Sequence, residues 1–272
     1  MQILNQVNNT PHSEGIRIVI AGMEKMGKTS LTCQAPAPLL IPLEIGYAGV
    51  TVSKTPMLES FQAVEILLDE IIQTVQAGQF PYRSIIFDSA TALEREIHQS
   101  VIEMDGAAAK KAITMESALG GYGKAYTYAN EIFGRFLKKC DWLAVHGGIN
   151  IILTCHVFAA KLIDPNSGEF DCWDLLLHSP KNQKTYGKRE MITQWADIIG
   201  FLYEPMFVTK GENINKGMSA NKGRVLGLSR TPSYVAGNRF GYEGEVSIPK
   251  VDGWNHFANA IYQTSGINFF NC

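Results

Sequence analysis

The chain has 272 residues, enough for one large α/β domain or for one domain carrying a sizeable excursion. Its 46% hydrophobic and 18% charged content suits a soluble globular protein with a substantial core. A formal net charge of -2 excludes a global attraction to nucleic acid, so any such contact has to come from a local basic patch.

Residues 1–14 are rich in Asn, Gln, Pro, His and Ser and read as a flexible arm, without the apolar segment of a signal peptide. Residues 16–21 form an apolar run of strand length. The helix after it must be short, because Pro36 and Pro38 stop it soon after Gln34. Residues 39–44 read as a second strand, and Gly46 and Gly49 break the chain after it into a loop. Apolar residues at three- and four-residue spacing from Leu58 to Val75 predict an amphipathic helix ending near Gly78. Residues 84–88 read as a buried strand ending on Asp88, and 90–104 as a helix. Residues 106–123 are small, basic and glycine-spotted, which predicts mobility. A long helix comes next over 122–145 and ends at His146-Gly147-Gly148. Residues 150–156 are another buried strand. Such alternation predicts a mostly parallel sheet with helices on both faces.

The second half reads differently. Residues 157–189 are long and mixed, with a possible strand at 173–178, and a loop of that length is usually functional. Residues 190–197 suggest a helix, 198–203 and 223–229 further strands, 211–223 a hairpin tip, and 254–262 a last helix. The expected organisation is one domain over 15–265, with an excursion at 157–190, a β-rich C-terminal part and a tail at 266–272. Cys33, Cys140, Cys155, Cys172 and Cys272 are odd in number and make no C-x-x-C, so free thiols in a reducing compartment are expected. No run reaches the ~20 apolar residues of a membrane span, so a cytoplasmic protein is expected.

Gly22-Met23-Glu24-Lys25-Met26-Gly27-Lys28-Thr29 fits G-x-x-x-x-G-K-[ST], the phosphate-binding P-loop, between a strand and a helix opened by Ser30. Gly22 and Gly27 permit the backbone to turn its N–H groups around a polyphosphate, and the helix end favours the same anion. Lys28 would reach the β- and γ-phosphates and Thr29 would hold Mg²⁺. ATP and Mg²⁺ are therefore the expected cofactors. Asp88, after three apolar residues, fits a carboxylate supporting Mg²⁺; capping of the next helix is the alternative. Glu44 ends the second strand, either as the carboxylate that activates water or as a solvated acid. His156 ends the fourth strand, either sensing the γ-phosphate or as a satisfied histidine. Ligands of such sheets bind beyond the carboxyl ends of the strands, where all of these residues fall.

Lys161, Lys181, Lys184, Lys188 and Arg189 lie in the excursion with Phe158, Trp173, His178 and Tyr186. They suggest a surface that tracks single-stranded nucleic acid and stacks its bases; a solvated loop is the alternative. Arg230 and Arg239 come after the 223–229 strand. An arginine there would either reach a nucleotide on a neighbouring subunit or be ordinary surface charge.

Together these residues resemble the RecA-like P-loop ATPase core. Residues 84–93 look like its second nucleotide motif, Leu43-Glu44 its catalytic glutamate, and 152–156 its γ-phosphate-sensing strand. A closer resemblance, over roughly residues 15–250, is to phage AAA-type ATPases of the RecA-core, single-strand annealing family. It is carried by Tyr122-Gly123-Lys124, Thr154-Cys155-His156, Trp195-Ala196-Asp197, Ser229-Arg230-Thr231 and Asn238-Arg239-Phe240-Gly241. The resemblance implies an ATP-hydrolysing protein acting on single-stranded DNA in phage recombination, together with a single-stranded DNA-binding protein in the host cytoplasm. It also implies assembly into a ring or filament with Arg230 acting across the interface, and a DNA-facing loop after His156. The chain departs from the pattern in its long 157–189 segment and in lacking a second acid after Glu44. A helicase-like or helicase-loading motor, a nucleotide-gated scaffold and a small-molecule kinase are the rival readings. No lid-like arginine-rich segment supports the last.

Overall fold

Four apolar runs meet as parallel neighbours at the centre of the molecule. In the computed structural model, which describes residues 14–105, 113–166, 168–180, 186–210, 215–219 and 223–268, these are β1 (Arg17–Ala21), β2 (Pro38–Pro42), β4 (Ser84–Asp88) and β5 (Asn150–Cys155). Between them lie α1 (Lys28–Thr32), β3 (Ser53–Lys54), α2 (Phe61–Gln76), α3 (Ala90–Met104) and α4 (Lys124–Gly147). Next come β6 (Val157–Asp164), β7 (Gly168–Leu175), α5 (Lys188–Trp195), β8 (Ile198–Tyr203), β9 (Met206–Lys210) and β10 (Asn215–Ser219). The C-terminal part adds β11 (Arg224–Gly227), β12 (Gly237–Asn238), β13 (Glu245–Ile248) and α6 (Gly253–Ser265).

The main sheet runs β13-β11-β8-β1-β5-β4-β2-β3, with β12 also on β8. Pairing is parallel from β8 through β3 and antiparallel for β11, β12 and β13. Successive side chains of a strand point to opposite faces. Val19 and Ala21 of β1, Ile85 and Phe87 of β4, and Leu153 of β5 enter one core, under α2, α3 and α4. Ile18 and Ile20, Ile86 and Ile152 enter the other, under α1 and α6. That two-sided burial is why these strands are continuously apolar.

Local chemistry sets the helix ends. Ser60 Oγ accepts from Ala63 N–H and Ser89 Oγ from Ala92 N–H, so a serine caps α2 and another caps α3. Gly148, at φ 61°, closes α4 in the left-handed conformation. The first helix is shorter than expected, the second strand stops two residues before Glu44, and the helix placed at 190–197 runs over Lys188–Trp195.

The excursion is a hairpin and not a loop. β6 and β7 pair antiparallel from Val157↔Leu175 to Asp164↔Gly168, in a sheet of their own. Asn166 N–H bonds Asp164 Oδ1 at 2.8 Å, an aspartate turn that reverses the chain. Trp173 then exchanges backbone hydrogen bonds with Ser233 and Val235, tying the hairpin to the C-terminal part. The hairpin expected near 211–223 has β9 and β10 as its arms. Of the arm expected at 1–14, the glycine-spotted segment at 106–123 and the tail at 266–272, residues 1–13, 106–112 and 269–272 lie outside the described residues.

Candidate nucleotide-binding site

The carboxyl ends of β1, β2, β4 and β5 share one edge, and the register brings Ala21 beside Cys155 and Pro42 beside Asp88. Gly22, Glu44, Asp88 and His156 therefore converge, as the alternation predicts. Gly22 is fixed by its N–H on Cys155 O (3.3 Å), and a Cβ there would lie 2.5 Å from Leu202 O. Gly27 stands at the start of α1 with φ 87°, a conformation that disfavours side chains. Since α1 has only five residues, its contribution is the N–H groups of the loop and first turn rather than a long helix dipole.

Lys28 is 6% exposed and donates to the carbonyls of Gly22 (2.8 Å) and Met23 (2.9 Å). Burial holds its pKa below the ordinary lysine value, against the opposing charges of Asp88, Glu24 and Glu44. Thr29 Oγ1 donates to Asp88 Oδ2 at 2.8 Å, and the Thr154 hydroxyl donates to Asp88 Oδ1. A carboxylate and a hydroxyl side by side are hard oxygen donors of the kind Mg²⁺ takes alongside phosphate oxygens. Among the described residues no group of three or more His, Cys, Asp or Glu could hold a metal. The loop that cradles, the buried ammonium and the paired oxygens fit Mg²⁺-ATP.

Glu44 Oε1 lies 2.8 Å from His156 Nε2, and Glu44 Oε2 accepts from Arg95 at 3.1 Å. Burial of Glu44 favours its neutral form. Hydrogen bonds from His156 and Ser89 and the charges of His156 and Arg95 outweigh it and keep the carboxyl ionised below its ordinary pKa. His156 Nδ1 stands 3.6 Å from Glu24 Oε1, and its backbone N–H bonds Thr91 Oγ1 at 3.2 Å. The histidine thus bridges the phosphate loop, the Glu44 segment after β2, and α3. Met23, Lys25, Met26 and Ser30 complete the loop and first turn, with Lys25 at φ 61°.

Arg95 and Thr91 are residues that sequence reasoning missed, and Thr154 was named only within the Thr154-Cys155-His156 motif, without a role of its own. Thr154 left one signal, a polar residue inside an apolar strand; Arg95 and Thr91 left none, since a helix surface holds such residues routinely.

The basic residues of the excursion need correction. Lys188 is fully buried: its Nζ lies 2.9 Å from His98 Nε2, 3.3 Å from Asn130 Oδ1 and 3.4 Å from Glu94 Oε1. It anchors α5 to α3 and α4 and cannot present charge to a nucleic acid. Arg189 is held by Asp174 and Glu190. Lys161 is exposed on the hairpin and pairs with Glu169 at 3.0 Å. Lys181 and Lys184 lie outside the described residues. Arg230 is not brought to the phosphate loop of its own chain; it lines a cavity of about 1050 Å³ between the hairpin, α5 and the 230–239 stretch.

A phosphate loop after the central strand β1, with a carboxylate closing the parallel strand β4 on the far side of β5, defines a P-loop NTPase. More narrowly, the chain belongs to the AAA domain family, whose model matches residues 14–240 and so spans every element of the site. No curated protein matches the chain.

Proposed function

We propose that the chain is a RecA-like enzyme that hydrolyses ATP and acts on single-stranded DNA in phage recombination or annealing. The observation that carries this reading is the convergence of Lys28, Thr29, Asp88, Glu44 and His156 at one sheet edge. Lys28 and the loop N–H groups bind the phosphates, and Thr29 and Asp88 hold Mg²⁺, which spreads the charge of the transferred phosphoryl group. Glu44 is ionised and takes the proton of the attacking water. His156, between Glu44 and Glu24, passes the state of the site to the β6–β7 hairpin that begins at the next residue.

The DNA part of the reading rests on a groove of about 1130 Å³ beside α4, lined by exposed Tyr122 and Tyr186 and by Arg135, Lys138 and the single acid Glu131. Within it Tyr126 stacks on His178 with ring centroids 4.1 Å apart. Aromatic faces and cations along one groove suit unpaired bases and their phosphates. Assembly into a ring or filament, with Arg230 reaching a neighbouring nucleotide, and cooperation with a single-stranded DNA-binding protein in a bacterial host cytoplasm belong to the same proposal. No helix among the described residues is long and apolar enough to cross a membrane.

The test is fluorescence anisotropy of a labelled oligothymidylate at several salt concentrations, with and without ATP. Tyr122→Ala with Tyr186→Ala should weaken binding about tenfold or more. Arg135→Ala with Lys138→Ala should reduce the salt slope by about 1. An unaltered protein that ignores the oligonucleotide would sink the DNA reading, and four silent substitutions would remove the groove from it.

A further inference from the structure

We propose that Arg224 is a second cation of the nucleotide site, contacting the phosphate chain from β11 of the same subunit; this rests on the P-loop reading above. Three observations meet at this residue. Its guanidinium lies against the phosphate loop, with Nη1 donating to Met26 O at 3.1 Å and Nη2 to Pro249 O at 3.2 Å. It occupies the side-chain position of Gly27, since a Cβ built there would lie 2.2 Å from Nη1. The missing side chain of the glycine before Lys28 thus serves two ends, the left-handed turn and the approach of an arginine.

The third observation is electrostatic. Among the described residues no carboxylate is within ion-pair distance of Arg224, whereas Arg17 and Arg189 each hold two and Arg239 holds one. Both of its hydrogen bonds go to neutral carbonyls, and burial lowers its pKa. A part-buried guanidinium without an anion is costly unless an anion arrives. Five N–H donors, two of them used, leave donors in a planar fork that suits phosphate oxygens. The phosphate loop beside it is built for that charge. The residue is mounted firmly, because β11 is paired to β8 on one side and to β13 on the other.

A purely structural clamp on the Met26 carbonyl is the competing role, and it predicts a different outcome. Binding of ADP and of adenosine is measured by displacement of a fluorescent adenine nucleotide in Mg²⁺ buffer. The proteins are the unaltered chain, Arg224→Gln, Arg224→Lys and Lys28→Ala, with melting temperature measured without ligand. Glutamine keeps a donor for Met26 O and removes the charge. The expected result is a loss of about tenfold or more in ADP affinity for Arg224→Gln, partial recovery for Arg224→Lys, and unchanged adenosine affinity in both. Arg224→Gln binding ADP like the unaltered chain, while Lys28→Ala does not, overturns the assignment and leaves the P-loop reading standing. If Arg224→Gln is less stable, the preference for ADP over adenosine decides: a shrinking preference supports a phosphate contact, and a constant one overturns it. Lys28→Ala binding ADP like the unaltered chain would overturn both readings together.

Discussion

Strand β1 has a charge cluster at each end, and the two are built on opposite principles. At its start, Arg17 donates to Asp197 through Nε (2.9 Å) and Nη2 (2.8 Å) and to Asp141 at 3.0 Å. Arg239 adds a bond to Asp197 at 2.9 Å, and Trp195 Nε1 bonds Asp141 at 2.7 Å. Each charge there meets its opposite, and the network ties β1, α4, α5 and the C-terminal stretch together. At the other end Lys28 touches only carbonyls, and Asp88 touches only the hydroxyls of Thr29 and Thr154. Cation and anion are close enough to feel each other yet are held apart by neutral groups. The saturated pairs at the start of β1 make architecture; Lys28 and Asp88, kept separate on a rigid edge beside the Glu44–His156 pair, retain capacity for a ligand.

Substitutions should divide along the same line. On the ligand side, Glu44→Gln should lower ATP turnover about 100-fold or more while nucleotide binding persists, the mark of a lost base. Single-turnover hydrolysis and equilibrium binding separate the two effects. Nucleotide-dependent partner binding combined with unchanged turnover in that variant would instead fit a scaffold.

On the architectural side, Lys188→Met should destabilise the fold by roughly 3 kcal/mol, because it leaves Glu94 buried without its cation. Chemical denaturation measures this, and a neutral result would mean that Glu94 is already protonated, as the upward push of burial on its pKa favours. Asp197→Asn should cost about 2 kcal/mol near neutrality. Burial raises the pKa of Asp197, but the hydrogen bonds and charge of Arg17 with the charge of Arg239 hold it below the ordinary value. A depressed carboxyl stabilises the fold above its unfolded pKa of about 3.9 and ceases to do so as pH falls through the folded value. The stability gap between Asp197→Asn and the unaltered protein should therefore narrow below about pH 4. A gap that stays constant down to about pH 2 would contradict the pairing. The smallest effect is expected at Lys161→Ala, within about 0.5 kcal/mol, since its partner Glu169 is exposed as well.

The cluster at the carboxyl edge was largely legible in the sequence because the parallel half of the sheet is written in uninterrupted apolar runs. Each run ends on a residue whose type has few uses there, as Gly22 and Asp88 do. What joins those ends was not legible. Glu44 meets His156 across 112 positions and Asp88 meets Thr154 across 66, contacts that depend on strand order and that no local pattern encodes. The excursion misled for a related reason. The Asp164-Pro165-Asn166 turn signal and Gly168 were present, but β6 and β7 form a two-stranded sheet whose one strand bridge to the rest, among the described residues, is at Trp173, so their burial pattern is shallow and irregular. Lys188 looked like part of a basic surface because lysine is seldom buried; only Glu94, His98 and Asn130, on other helices, make its burial tolerable. β13, close to the C-terminal end of the chain, is four residues long and offered no run to read.

The central claim is that the separated charges at the carboxyl edge bind and hydrolyse ATP. Its most direct measurement is phosphate release from ATP and Mg²⁺, with and without single-stranded DNA, by the unaltered protein and by Lys28→Ala. Turnover that rises with DNA and vanishes in Lys28→Ala is the predicted result. Turnover that survives Lys28→Ala would place the chemistry elsewhere and contradict the account.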